Sequence, residues 1–88
     1  MYRLAIKPTL ERKLLKLSKK NPKLVEIILK KVDEILQSPN RYKNLRFPLN
    51  MWKRVHIDKH FVLLFSVDEI DMIVTLEDFD HHDNVYSS

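Results

Sequence analysis

All four histidines of this 88-residue chain, its only tryptophan and its last tyrosine fall in two short segments, residues 52–61 and residues 80–86. Histidine is the side chain whose unperturbed pKa lies nearest neutrality, which makes it the usual proton carrier in catalysis. The first segment reads Trp52-Lys53-Arg54-Val55-His56-Ile57-Asp58-Lys59-His60-Phe61, the second Asp80-His81-His82-Asp83-Asn84-Val85-Tyr86. In an extended chain Trp52, Arg54 and His56 share one face, and Lys53, Val55 and Ile57 share the other. One strand then presents a stacking ring, a fixed cation and a proton carrier. That set suits RNA, because aromatic rings stack on unpaired bases and a guanidinium fork matches phosphate oxygens. A second reading is open, since strand aromatics usually pack: Trp52 packs a minor apolar cluster and Arg54 pairs with an acidic neighbour.

His56 and His60 flank a tight turn. In an antiparallel meander the start of the strand after His60 and the end of the strand before His82 lie together, so His60 and His82 can converge. Two imidazoles at one phosphodiester are a metal-free ribonuclease arrangement: one takes the 2′-hydroxyl proton, the other protonates the leaving 5′-oxygen. A nearby arginine stabilises the charge of the transition state. The alternative is surface histidines in a turn and a tail. Adjacent histidines such as His81 and His82 rarely chelate one ion, and no helix carries a histidine pair four residues apart. Neither a metal nor a cofactor is expected.

The elements that must hold these residues are legible in the pattern. Residues 2–6 alternate as a short strand with Leu4 and Ile6 inward. Thr9 can cap a helix to about Lys20, with Leu10, Leu14 and Leu17 on one stripe. Asn21 and Pro22 restart the chain as N-cap and first helical residue. The second helix, residues 22–37, buries Val25, Ile28, Leu29, Val32, Ile35 and Leu36. Ser38-Pro39-Asn40 ends it. Residues 43–49 are an irregular or extended approach with Pro48 at an edge. Strands follow at 52–57, 61–67 and 72–79, the middle one apolar on both faces as a central strand is. A short helical turn closes the chain, with Asp80 able to cap it. The order β-α-α-β-β-β predicts an α+β fold: an N-terminal strand, a two-helix hairpin and a three-stranded antiparallel meander, with the helices on one face of an antiparallel sheet.

Eighty-eight residues suit one domain, 1–88, with a small core. The chain has no cysteine, which excludes disulfides and thiolate metal sites. It has no glycine, which excludes a P-loop and a Gly-rich dinucleotide fingerprint. The apolar run 61–65 is far short of a membrane span. Residues 1–6, interrupted by Lys7-Pro8, are too short for a signal peptide. Residues 1–54 hold fifteen of the sixteen basic residues and four of the twelve acidic ones, a balance of +11, whereas residues 55–88 balance to −7. Such asymmetry suits a nucleic acid or an acidic protein partner, or else two helices whose lysines merely solvate their outer faces.

The strand order, the segment Phe47-Pro48-Leu49-Asn50-Met51-Trp52-Lys53 followed by Arg54-Val55-His56-Ile57, and the ending His82-Asp83-Asn84-Val85-Tyr86 together resemble the RelE/ParE toxin superfamily. Within it the chain looks closest to the RelE and YafQ-like messenger-RNA interferases. The resemblance implies a toxin of a prokaryotic toxin–antitoxin system that cuts messenger in the ribosomal A site without a metal. It implies as partners a RelB-like antitoxin and ribosome-bound messenger, operator DNA only indirectly through the antitoxin, and no membrane; the location implied is the cytoplasm. By position His56 matches a family histidine, His60 a position that is acidic in the YafQ-like branch, and Phe61 its neighbouring aromatic. His82 matches the terminal catalytic histidine and Tyr86 the C-terminal aromatic, while Arg54 lies near a family arginine. The expected catalytic set is therefore His82, His60, His56, Arg54 and Tyr86, with Arg46, Trp52, Lys53, Phe61 and Lys43 contacting RNA or ribosome. Two departures stand out. Phe47 occupies the place of a YafQ-like catalytic histidine, and Lys43, Arg46 and Lys53 only substitute for the lysine pair of RelE proper. Other classes are a ParE-like gyrase inhibitor, against which the four histidines argue, and an inactive co-repressor, in which replacing His60, His82 or Tyr86 changes nothing.

Overall fold

The computed structural model describes residues 1–86. Strand β1 (Arg3–Ile6) leads through Lys7 into helix α1 (Pro8–Lys20). Proline opens α1 because its missing N–H would be unbonded there in any case. Thr9, expected as the cap, lies inside the first turn. Lys7 takes the cap position without a side-chain hydrogen bond. Asn21 joins both helices: its N–H donates to the Leu17 carbonyl at 2.7 Å, and its Oδ1 accepts from the Leu24 N–H at 3.2 Å. Helix α2 (Pro22–Gln37) has the bounds the punctuation predicts.

Its inward face differs from the expected one: Leu24 and Ile27 join it, while Val25 is only half-buried and outside the core. Leu24, Ile28, Val32 and Ile35 are buried and Ile27 packs against them, but Leu29 is 59% exposed. Successive helical residues turn by about 100°, so Leu29 rotates out of the stripe that Ile28 centres. Leu4 on β1, also expected inward, is 41% exposed because β1 is an edge strand.

After a single 3₁₀ turn (Pro39–Arg41) and a loop, strands β2 (Lys53–Ile57), β3 (Phe61–Asp68) and β4 (Ile73–His81) form the meander, and α3 (His82–Tyr86) follows. The sheet order is β1-β4-β3-β2. β2–β3 and β3–β4 are antiparallel, but β1 runs parallel to β4, pairing Arg3 with Ile73 through Ile6 with Leu76. The sheet is thus mixed rather than antiparallel throughout. Periodicity reports a strand's faces and length; its sense against a partner some 70 residues away depends on how the intervening hairpin and loop return the chain.

The main core lies between the helices and one face of the sheet, joining Leu10, Ile28 and Ile35 to Ile57, Leu63 and Phe65. A smaller cluster of Leu45, Val62 and Leu64, with Trp52 and Val85 packed on it, covers the other face. β3 is therefore buried on both sides, as its sequence predicts. A bulge interrupts β3–β4 between Leu64, opposite Asp78, and Phe65, opposite Leu76. Glu77 is the extra residue. Its carboxylate accepts from Ser66 Oγ at 2.6 Å and faces Lys7 Nζ at 3.5 Å. The bulge reverses the alternation of β4, so that Val74 and Leu76 but also Phe79 reach the main core. It thereby turns His81 to the helix side.

Candidate functional site

The site is built on the face opposite the helices. The β2–β3 register puts Arg54 opposite Leu64 and His56 opposite Val62, so both share the face of the small apolar cluster. α3 is folded back against the end of the sheet by two devices. The His82 N–H donates to the His60 carbonyl at 2.6 Å. The Asp80 Oδ1 accepts from the His81 N–H at 2.7 Å and from Asn84 Nδ2 at 3.0 Å. The Asn84 hydrogen bond does most to hold the Asp80 carboxyl below its ordinary range; the His81 N–H and the positive charge of Lys13 help, while partial burial opposes them. Val85 then packs onto Leu45, Val62 and Leu64.

With α3 fixed, the His82 ring lies 5.5 Å from the His56 ring at an interplanar angle of 28°, and 4.5 Å from the Tyr86 ring. The Arg54 guanidinium carbon lies 6.0 Å from the Tyr86 ring centre. A cleft of about 590 Å³ adjoins this group, lined by residues 44–49 together with Arg54, Val85 and Tyr86. Among the described residues, Arg46 and Arg54 are its only charged lining residues. Two imidazoles, a guanidinium and a phenol beside an electropositive cleft can bind an anion and move protons on it.

Arg54, His56, His82 and Tyr86 are therefore brought together, with Arg46 in the adjoining cleft. The other expected residues lie elsewhere. His60 and His82 meet through their backbones, but their rings part. His60 stacks on His81 at 5.9 Å, whereas His82 stacks on His56. Phe61 stacks on Phe79 at 5.2 Å in the main core, away from the cleft. Trp52 packs on the small apolar cluster, which is the packing reading of that residue. Lys53 Nζ donates to the Tyr42 carbonyl at 3.2 Å and to Asn44 Oδ1 at 3.0 Å, stitching the loop to β2. Lys43 is exposed, and its carbonyl accepts the Arg54 N–H at 3.0 Å.

Asp83 stands between the two adjacent histidines. Its N–H donates to His81 Nδ1 at 3.3 Å, which requires that nitrogen to be unprotonated. The 3.8 Å approach of its carboxylate to the same atom becomes an ion pair only on protonation. Among the described residues no group of three or more His, Asp or Glu side chains is placed to hold a metal ion. Sequence reasoning noted Phe47 only as standing in the place of a histidine, and missed Leu49 and Val85 as lining and Asn84 as the partner of Asp80. The signals were an aromatic between Arg46 and Pro48 in the approach to β2, and an Asp–Asn pair four residues apart.

No family model matches the chain. It is similar to a protein of Methanosarcina mazei, 63% identical over 86 residues that cover 98% of this chain and 100% of that protein. It is also similar to a Methanocaldococcus jannaschii protein named "Putative toxin RelE4", 58% identical over 86 residues that cover 98% of this chain and 92% of that one. Among solved structures, a chain of the Mycobacterium tuberculosis toxin–antitoxin complex RelBE2 aligns with a TM-score of 0.78 at 23% identity, covering 92% of this chain and 98% of that chain. At that identity the likeness is one of fold.

Proposed function

The chain belongs to the RelE family of toxins, and from that premise we propose that it is a ribosome-dependent endoribonuclease that cuts messenger RNA in the A site by general acid–base chemistry. The observation that supports this reading is the meeting of His56, His82, Tyr86 and Arg54 beside an arginine-lined cleft. The 2′-oxygen attacks phosphorus and the bond to the 5′-oxygen breaks. One imidazole accepts the 2′-hydroxyl proton and the other delivers a proton to the departing oxygen, leaving a 2′,3′-cyclic phosphate and a 5′-hydroxyl. Arg54 balances the charge that grows on the phosphoryl oxygens, and Tyr86 orients the group against His82. His60 and Phe61, on the far side of the strand end, keep at most a supporting part.

The same reading gives the protein an antitoxin partner, acidic where it meets the lysine-rich helices, and a place beside ribosomes in the cytoplasm. It also makes residues 1–88 one toxin domain. No helix among the described residues is long and apolar enough to cross a membrane.

The test is cleavage of a defined messenger programmed into 70S ribosomes, with wild type beside His82→Ala, His56→Ala and Tyr86→Phe and a ribosome-free control. Wild type should cut at A-site codons only when ribosomes are present. Each histidine variant should slow cutting by about 10²–10⁴-fold, the usual worth of a positioned acid or base. Absence of cuts by a folded, antitoxin-free protein sinks the proposal.

A further inference from the structure

We infer that Phe47 is a base-binding residue: an unstacked base of single-stranded RNA lies on its ring inside the cleft that Arg46, Arg54 and Tyr86 share. This rests on the RNA-directed reading of the site and extends it to a residue that does no proton chemistry.

Three observations carry the inference. Phe47 is 86% exposed although it is a large aromatic in a small protein, so it forgoes most of the burial free energy a phenylalanine can contribute. The loop that displays it is nonetheless well held. The Leu45 N–H donates to the Trp52 carbonyl at 2.9 Å, the Leu49 N–H to the Arg46 carbonyl at 3.0 Å, and the Trp52 N–H to the Leu49 carbonyl at 3.0 Å. Asn44 Nδ2 closes the loop on the Asn50 carbonyl at 2.8 Å. A braced loop presenting a ring to water is a preformed platform that gives up little freedom on binding. Third, the lining pairs this ring and Tyr86 with two arginines and, among the described residues, contains no acidic one.

Rings supply stacking to any base, and guanidinium groups supply the phosphate contacts that accompany it. The cleft, about 590 Å³, falls within the range of pockets that take small organic groups, about 300–1,000 Å³, so a base with its phosphate can enter. An apolar protein anchor would use the ring but leave both arginines without an anion. Stacking of this kind favours the larger purine surface modestly and reads no hydrogen-bond pattern. Phe47 thereby makes the cleft tolerant of sequence with a lean toward purines.

The experiment titrates a short single-stranded RNA carrying one 2-aminopurine with wild type, Phe47→Ala, Phe47→Leu and Phe47→Trp, and measures KM and kcat of each on ribosome-bound messenger in parallel. Wild type should quench the fluorescent base. Phe47→Ala should bind between about 5-fold and 150-fold more weakly, the range for one stacked base, and should raise KM more than it lowers kcat. Phe47→Trp should retain binding, and Phe47→Leu, apolar but without a ring, should lose it.

Equal RNA affinity and KM for Phe47→Ala and wild type overturn the inference. So does full retention by Phe47→Leu, which would mean apolar contact without stacking. So does a loss confined to antitoxin affinity, which would make the loop a protein-docking surface. Failure of wild type both to quench and to cut overturns it as well. Wild type that binds RNA through Phe47 yet cuts nothing on ribosomes would sink the nuclease reading alone and leave the base platform standing.

Discussion

Asp80 lies next to the last residue of β4, and its carboxylate bonds forward to the His81 N–H and to Asn84 in α3. It therefore acts on the placement of His82 and Tyr86 without touching either ring. Its folded pKa is depressed, chiefly by the Asn84 hydrogen bond. A carboxyl with a depressed folded pKa adds stability when ionised. That contribution is complete above the ordinary carboxylate range, about pH 4, and drains away as pH falls below that range through the depressed folded pKa. Asp80→Asn should consequently lower the melting temperature at pH 7, and the gap between variant and wild type should narrow as pH falls through the depressed folded pKa. Thermal melts across that range decide it. A gap that stays constant would mean that packing, and not the charge, is at stake. Asp80→Asn should also slow cleavage while leaving His82 and Tyr86 chemically intact. At this scale the sequence showed that histidines, arginine and tyrosine gather at one end of the sheet. It did not show which rings pair, because the β4 bulge at Glu77 shifts the face of every later residue, and alternation alone carries no sign of a bulge.

A chain without glycine must build its tight turns from other residues. The β2–β3 turn holds Asp58 at φ 57° and the β3–β4 turn holds Met72 at φ 54°, both in the left-handed region. Aspartate visits that region more readily than methionine does. Met72 is retained although its Cβ crowds the backbone, and its carbonyl accepts the Arg3 N–H at 2.9 Å, tying β1 to the turn. Met72→Gly removes the crowding and keeps that bond, at the cost of a more flexible unfolded chain. The net gain should be about 0.5 kcal/mol, or roughly 2–4 °C in Tm for a domain of this size. Met72→Val should instead lower Tm, because a β-branched residue tolerates positive φ least. Calorimetry of the pair gives opposite signs if the backbone angle governs, and the same sign if the methionine side chain does. The bounds of α2 were legible because Asn21-Pro22 and Ser38-Pro39 punctuate them chemically. The loop from 43 to 52 was not, since its order comes from hydrogen bonds of Asn44 and Lys53 to distant carbonyls, and such contacts leave no period.

Across the whole molecule the fold redistributes the charge that the sequence splits into halves of +11 and −7. Lys7 meets Glu77 at 3.5 Å and Lys13 meets Asp78 at 3.3 Å, so part of the basic half is answered by β4. The acidic turn at 68–71 joins β3 and β4 at the end of the sheet away from His60 and His81, which pair at the other end. Asp83 is the carboxylate beside His82, while among the described residues Arg46 and Arg54 are the charged groups that line the cleft. The lysines of α1 and α2 lie across the sheet from this cleft. Affinity for free single-stranded RNA should therefore fall with salt chiefly through the two arginines. Each phosphate contact adds a slope of about −0.7 to log K against log salt for a single strand. Arg46→Ala should make the line shallower by about that amount, while Lys23→Ala on α2 should leave it parallel to wild type. Titrations between low and moderate salt separate the two cases. Parallel lines for Arg46→Ala, with a shallower one for Lys23→Ala, would move the RNA from the cleft to the helical face and leave the histidine cluster without a substrate beside it.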